Sequence, residues 1–95
     1  PDEVGDPQNL DLWLEVDGKR YQDGNTRTMI YGVAHLIHYL SQFFTLHSGD
    51  IISTGTPPGV GLGQKPEPIY LRVGQTMHLG IEKLGVQTQN LVADV

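Results

Sequence analysis

Leu10-Asp11-Leu12-Trp13-Leu14-Glu15-Val16-Asp17-Gly18 is the stretch that decides the fold of this chain. Leu10, Leu12, Leu14 and Val16 fall on one face and Asp11 and Glu15 on the other, with Trp13 between them. That period of two marks a half-buried strand. Asp17-Gly18 follows without a gap, and both central positions of a type I′ hairpin turn need positive φ. The stretch predicts a β-hairpin, with Lys19–Asp23 as the returning strand.

Upstream, residues 1–9 carry three acids and two prolines without periodicity and read as an extended lead-in. Downstream, Asp23-Gly24-Asn25-Thr26 reads as a loop. Ile30, Val33, Ile37, Leu40 and Phe44 then recur three and four apart, which predicts one amphipathic helix of three to four turns. His35, His38 and Gln42 lie on its other face, and His47-Ser48-Gly49-Asp50 is the expected stop and turn. Ile51-Ile52-Ser53-Thr54 is β-branched and bounded by turn residues, so a short buried strand is expected. Gly55 to Pro68 holds four prolines and four glycines and cannot be regular structure. A loop of that length in a compact domain is usually functional or flexible. Thr76–Glu82 and Val86–Val92 are two further strands, joined through Lys83-Leu84-Gly85. One helix among strands gives an α+β, β-rich fold class.

Composition limits the function. The 95 residues make one domain at most, or a piece of one. Eleven acids against six bases give a net charge of −5, which disfavours nucleic acid and anionic membranes as partners. The absence of cysteine excludes disulfides and thiolate metal sites. No apolar run approaches a membrane span, and Pro1-Asp2-Glu3 does not open a signal peptide, so the expected compartment is the cytoplasm. A chain beginning with proline has the look of processing or truncation.

The residues alone supply little chemistry. His35 and His38 form an H-x-x-H pair that can place two imidazoles on one metal. With no acid at helical spacing, surface histidines are the better account, and more so for the isolated His47 and His78. Gly59 to Lys65 looks like a phosphate loop, but Gln64 precedes Lys65 and Pro66 follows it, so the pattern fails. Asp11, Glu15, Asp17 and Asp50 are scattered, without metal-ligand or acid–base spacing. Thr54-Gly55-Thr56-Pro57 is the suggestive segment. Gly55 allows a backbone bend and close approach, while Pro57 restricts Thr56 to extended backbone. A hydroxyl held in this way suits a carboxylate or carbonyl oxygen. From spacing alone, a rigid strand-exit turn with no ligand is the better account.

Gly49-Asp50-Ile51-Ile52-Ser53-Thr54-Gly55-Thr56-Pro57-Pro58-Gly59-Val60-Gly61 strongly resembles the fumarylacetoacetate hydrolase family. Asp6-Pro7-Gln8-Asn9-Leu10, Val16-Asp17-Gly18, Gln22-Asp23-Gly24-Asn25-Thr26, Met29-Ile30, Tyr39-Leu40-Ser41-Gln42 and Thr45-Leu46 agree in order and spacing. The resemblance runs through nearly the whole chain. It implies that residues 1–95 are the C-terminal portion of a longer catalytic domain with a mixed β-sandwich roll, usually a homodimer. It also implies an enzyme acting on C–C bonds of 2-oxo acids or β-diketones by hydrolysis, decarboxylation or isomerisation.

Family members use Mg²⁺ or Mn²⁺ on a Glu-x-Glu pair plus an Asp, with a Lys further along. No residue here matches these, so the resemblance puts no metal ligand and no catalytic residue in this chain. It does imply substrate binding by Thr56, with Gly55 shaping the contact through its backbone. Lys65-Pro66-Glu67-Pro68-Ile69-Tyr70-Leu71 resembles bacterial members of aromatic-degradation pathways. Gln75 stands where relatives often carry an acid, just ahead of a strand. The competing possibility is a stand-alone β-rich binding module without catalysis.

Overall fold

The computed structural model describes residues 1–94. Its centre is a four-stranded antiparallel sheet of β1 (Asp11–Val16), β2 (Lys19–Asn25), β3 (Thr76–Ile81) and β4 (Gly85–Asn90), in the order β2-β1-β3-β4. One helix, α1 (Val33–Ser41), accompanies it, so the α+β, β-rich class is observed. Asp17 and Gly18 adopt φ of 48° and 83°, as the hairpin turn demands. The turn is also tied to the head of β3: Asp17 N donates to Thr76 O and Thr76 N donates to Asp17 Oδ1, both at 3.0 Å. The β3–β4 turn uses Lys83 at φ 66° and Gly85 at φ 98°.

Register assigns the two faces. Leu12, Leu14 and Val16 of β1 stand opposite Ile81, Leu79 and Met77 of β3, and opposite Gly24, Gln22 and Lys19 of β2. Side chains directly opposite share a face, so this is the apolar side. On the other side Trp13 lies over Gly80, where a Cβ would come within 2.9 Å of the indole. His78 and Arg20 flank that ring at 5.1 Å each.

Several expectations need correction. The lead-in is not extended: it folds into turns, the second held by Gln8 N donating to Asp6 Oδ1 at 2.9 Å. β2 runs on through Asn25, because Trp13, Leu12 and Asp11 offer ladder partners to Asp23, Gly24 and Asn25. α1 has nine residues, not three to four turns. It starts at Val33, whose N–H donates to Gln8 Oε1 at 2.7 Å, and this leaves Ile30 outside the helix and 92% exposed. Its closing turn carries Phe44, also exposed, and the His47–Asp50 turn comes later and separately.

Ile51–Thr54 is not a buried strand. No described strand runs beside it to pair its backbone, and Ile51 is 94% exposed. β3 ends one residue early, at Ile81. β4 spans Gly85–Asn90, not Val86–Val92.

The core is small: Leu10 and Val16 are the buried apolar residues, joined by one polar side chain, Asn25. The accessible surface is 7679 Å², whereas a compact monomer of this mass exposes about 5,400 Å². The radius of gyration is 15.9 Å, against about 12 Å for a compact chain of this length. Several large apolar side chains are exposed, among them Ile37, Tyr39, Phe43, Leu62, Val73 and Val86. Among the described residues no helix is long and apolar enough to cross a membrane.

Candidate functional site

The geometry of the site begins with a fault in the β1–β2 ladder. Leu14 faces Gln22 but Glu15 faces Arg20, so Tyr21 is one residue too many. This is a β-bulge, which bends a strand and re-aims its side chains. The segment from Thr56 to Gly59 seats on β2 at and beside the bulge, through three contacts. Pro57 packs over Gly24, where a Cβ would lie 3.3 Å from the proline Cβ. Gly59, at φ +113°, passes so close to Tyr21 that a Cβ would sit 2.0 Å from its carbonyl oxygen. Between these two points, Gln22 Nε2 donates to Thr56 Oγ1 and to Pro57 O, each at 2.9 Å.

The far side of the loop is braced as well. Gln64 Nε2 donates to Gly59 O at 3.0 Å, and Ile69 N donates to Gly61 O at 2.9 Å. An apolar cavity of about 200 Å³ lies beneath, lined by Leu14, Val16, Tyr21, Gln22, Tyr70 and Leu71 among others. Gln75 also reaches it, while its Oε1 closes the preceding turn by accepting from Arg72 N at 2.7 Å.

Of the expected site residues, Thr56 is exposed and clamped through its hydroxyl oxygen. Gly55 has φ +93° with nothing within 4 Å of a built Cβ, so glycine is needed there for backbone conformation and not for space. Gln22 is the residue that sequence reasoning missed. Its side chain shares the Leu14 face by register, and nothing in the local pattern says that a loop 34 positions away will land on it.

A second polar cluster likewise has no signal in the sequence pattern. Asn25 donates to Asp11 Oδ1 at 2.8 Å and Asn9 Oδ1 at 3.2 Å, and accepts from Arg27 N at 2.8 Å. Gln8 donates to Thr26 O at 2.8 Å while capping α1. These bonds sew the lead-in to the end of β2 and to the helix start.

The remaining candidates serve local structure. His35 is stacked between Tyr31 and Tyr39, at 4.8 and 6.4 Å. His38 Nε2 lies 3.0 Å from Gln42 Nε2, and His78 Nδ1 lies 2.9 Å from Thr88 Oγ1. Asp11 holds Asn25, Asp17 holds Thr76 N, Asp50 accepts from His47 N at 2.8 Å, and Glu15 lies 3.8 Å from Arg20. Among the described residues no group of three or more His, Asp or Glu side chains is placed to hold a metal ion. A hard divalent cation needs several converging oxygens, and the carboxylates present do not fit one.

The fold and the loop together define a β-rich unit that presents one fixed hydroxyl beside an apolar pocket. Comparison with known proteins gives it a family. Residues 1–92 match the family model described as fumarylacetoacetate (FAA) hydrolase C-terminal. The chain belongs to the fumarylacetoacetate hydrolase family. A Burkholderia multivorans protein with the provisional name of hydrolase is 68% identical over 88 residues, 93% of this chain and 31% of that protein.

Among solved structures, the fumarylacetoacetate hydrolase of Exiguobacterium antarcticum is 35% identical with a TM-score of 0.90, covering 98% of this chain and 33% of that one. A maleylpyruvate hydrolase of Sphingobium sp. SYK-6, in complex with manganese(II) and pyruvate, is also 35% identical. Its TM-score is 0.83, over 96% of this chain and 31% of that one. The chain thus spans about a third of the length of the relatives it matches.

Proposed function

We propose that residues 1–95 form the C-terminal portion of the catalytic domain of a divalent-metal-dependent hydrolase that cleaves a C–C bond in a 2-oxo acid of the acylpyruvate type. The observation that carries this is the loop on β2, whose single hydroxyl is pinned at its oxygen and exposed to a ligand. The solved relative with bound pyruvate supports the substrate class, since pyruvate is the three-carbon product of hydrolysing an acylpyruvate. Its manganese supports a Mn²⁺ or Mg²⁺ cofactor. We assign the cation ligands to parts of the enzyme beyond this chain, and nothing in the chain's own contribution runs through the metal.

That contribution is recognition. Thr56 donates its hydroxyl proton to a carboxylate or oxo oxygen of the substrate, and Gly55 provides the bend that brings the loop to it. Large apolar side chains are exposed, among them Ile37, Tyr39, Phe43 and Val86, and the total accessible surface exceeds that of a compact monomer by about 2,000 Å². We assign that surface to the rest of the catalytic domain and to a homodimer partner. We place the enzyme in the cytoplasm.

The test is Thr56→Val in the complete enzyme, with Thr54→Val as control. Valine keeps shape and branching and removes the donor. Losing a hydrogen bond to a charged oxygen costs about 1.5–3 kcal/mol, or roughly 10- to 150-fold in kcat/KM. If the bond is equally strong in ground and transition states, KM rises with kcat unchanged. Equal activity for Thr56→Val and the wild type would refute the assignment.

A further inference from the structure

We infer that Gln22 is a positioning residue that sets which way the Thr56 hydroxyl points its proton. This rests on the proposal that Thr56 meets a substrate oxygen, and it adds the reason why this hydroxyl donates and does not accept.

The orientation of the Gln22 amide follows from its partners. Pro57 O, 2.9 Å away, can only accept. The group facing it is therefore the NH₂ end, and Oε1 points elsewhere. That same Nε2 lies 2.9 Å from Thr56 Oγ1 and has one hydrogen left to give. An amide nitrogen of this kind does not accept, so the hydroxyl oxygen must.

A threonine hydroxyl has one proton and two acceptor lone pairs. With one lone pair engaged by Gln22, the proton turns away from the sheet. No other partner for Oγ1 occurs among the described residues, and Thr56 is exposed. The hydroxyl is held as a donor facing outward, and its rotation is restricted before any ligand arrives.

The support for Gln22 is built in. It is only half-exposed, and it shares its sheet face with Leu14 at the bulge. Its stem contacts the apolar cavity and the close-packed Gly59. One amide group bridging hydroxyl and carbonyl also fixes the spacing of Thr56 and Pro57 relative to β2.

Gln22→Glu tests the inference with almost no change in shape. A carboxylate only accepts, so it repels Pro57 O and draws the Thr56 proton onto itself. Gln22→Met keeps length, loses both bonds, and leaves the hydroxyl free to turn outward.

In the complete enzyme, assayed on an acylpyruvate, Gln22→Glu is expected to lose about 10- to 150-fold in kcat/KM, as Thr56→Val does. Gln22→Met should lose less than Gln22→Glu. The Gln22→Glu deficit relative to wild type should shrink as pH falls toward the ordinary glutamate range, about 4.3, because the protonated acid can donate again. Combining Gln22→Glu with Thr56→Val should cost less than the product of the two separate losses, because both remove the same outward-facing donor.

Full activity of Gln22→Glu beside an impaired Thr56→Val overturns the inference and leaves the role of Thr56 standing. A Gln22→Met defect equal to or larger than that of Gln22→Glu, without pH recovery, overturns it in favour of simple loop support. Wild-type behaviour of Thr56→Val removes the proposed function of that residue, and the inference falls with it.

Discussion

Gly59→Ala should detach the loop from the sheet, and the structure allows the cost to be worked out. Two penalties meet at this position. At φ +113° an L side chain is strained by about 1–3 kcal/mol. The new Cβ would also lie 2.0 Å from Tyr21 O and 2.8 Å from Gln22 Cγ. The first of these neighbours is backbone in a hydrogen-bonded strand and cannot give way cheaply. The loop escapes both penalties by lifting off, so the cost is capped by what docking contributes. That is two hydrogen bonds from Gln22, about 0.5–1.5 kcal/mol each, and the packing of Pro57 over Gly24, about 1 kcal/mol. The expected loss is about 2–4 kcal/mol, confined to the loop.

Gly55→Ala is the comparison. It has a similar positive φ, +93°, but open space around it, so only strain applies and the loop stays seated. The assay is the NMR signal of the Gln22 side-chain amide, together with limited proteolysis between residues 55 and 61. Gly59→Ala should move the Gln22 amide to its free-amide position and expose the loop to cleavage, while Gly55→Ala should do neither. Identical behaviour of the two variants would refute the docking geometry.

Other consequences are quicker to check. Asn25→Leu leaves Asp11 and Arg27 N without their buried partner and should cost about 1–3 kcal/mol, read as a lower urea midpoint. Gly80→Ala places a methyl 2.9 Å from the Trp13 ring and should shift the Trp13 fluorescence maximum, which Gly74→Ala, with open space, should not. The 95-residue chain by itself should show no micromolar Mg²⁺ affinity in calorimetry, since its carboxylates are dispersed. It should also self-associate in light scattering as concentration rises, through the exposed Tyr39, Phe43 and Val86 surfaces.

What could be read from the sequence was what is local. Alternation over Leu10–Val16 and the Asp17-Gly18 dipeptide specify the hairpin, because strand period and turn chemistry act between neighbours. The class of the fold and the family motif from Gly49 to Gly61 were legible for the same reason. Ile51–Thr54 misled because β-branching reports strand preference and cannot supply a pairing partner. The apolar spacing from Ile30 to Phe44 extends beyond α1 because the helix start depends on Gln8, 25 residues before Val33. Gln22 was hidden for a related reason. A glutamine on a strand gains meaning only when a bulge aims it at Thr56, and neither the bulge nor the contact has a sequence period.

The most direct measurement is a crystal structure of the complete enzyme with Mn²⁺ and pyruvate. The expected result places Thr56 Oγ1 within about 2.5–3.0 Å of a pyruvate oxygen, with Gln22 Nε2 still on Thr56 Oγ1 and Pro57 O, and the cation held wholly by residues outside these 95. Pyruvate bound without Thr56, or a carboxylate of this chain on the metal, would contradict it.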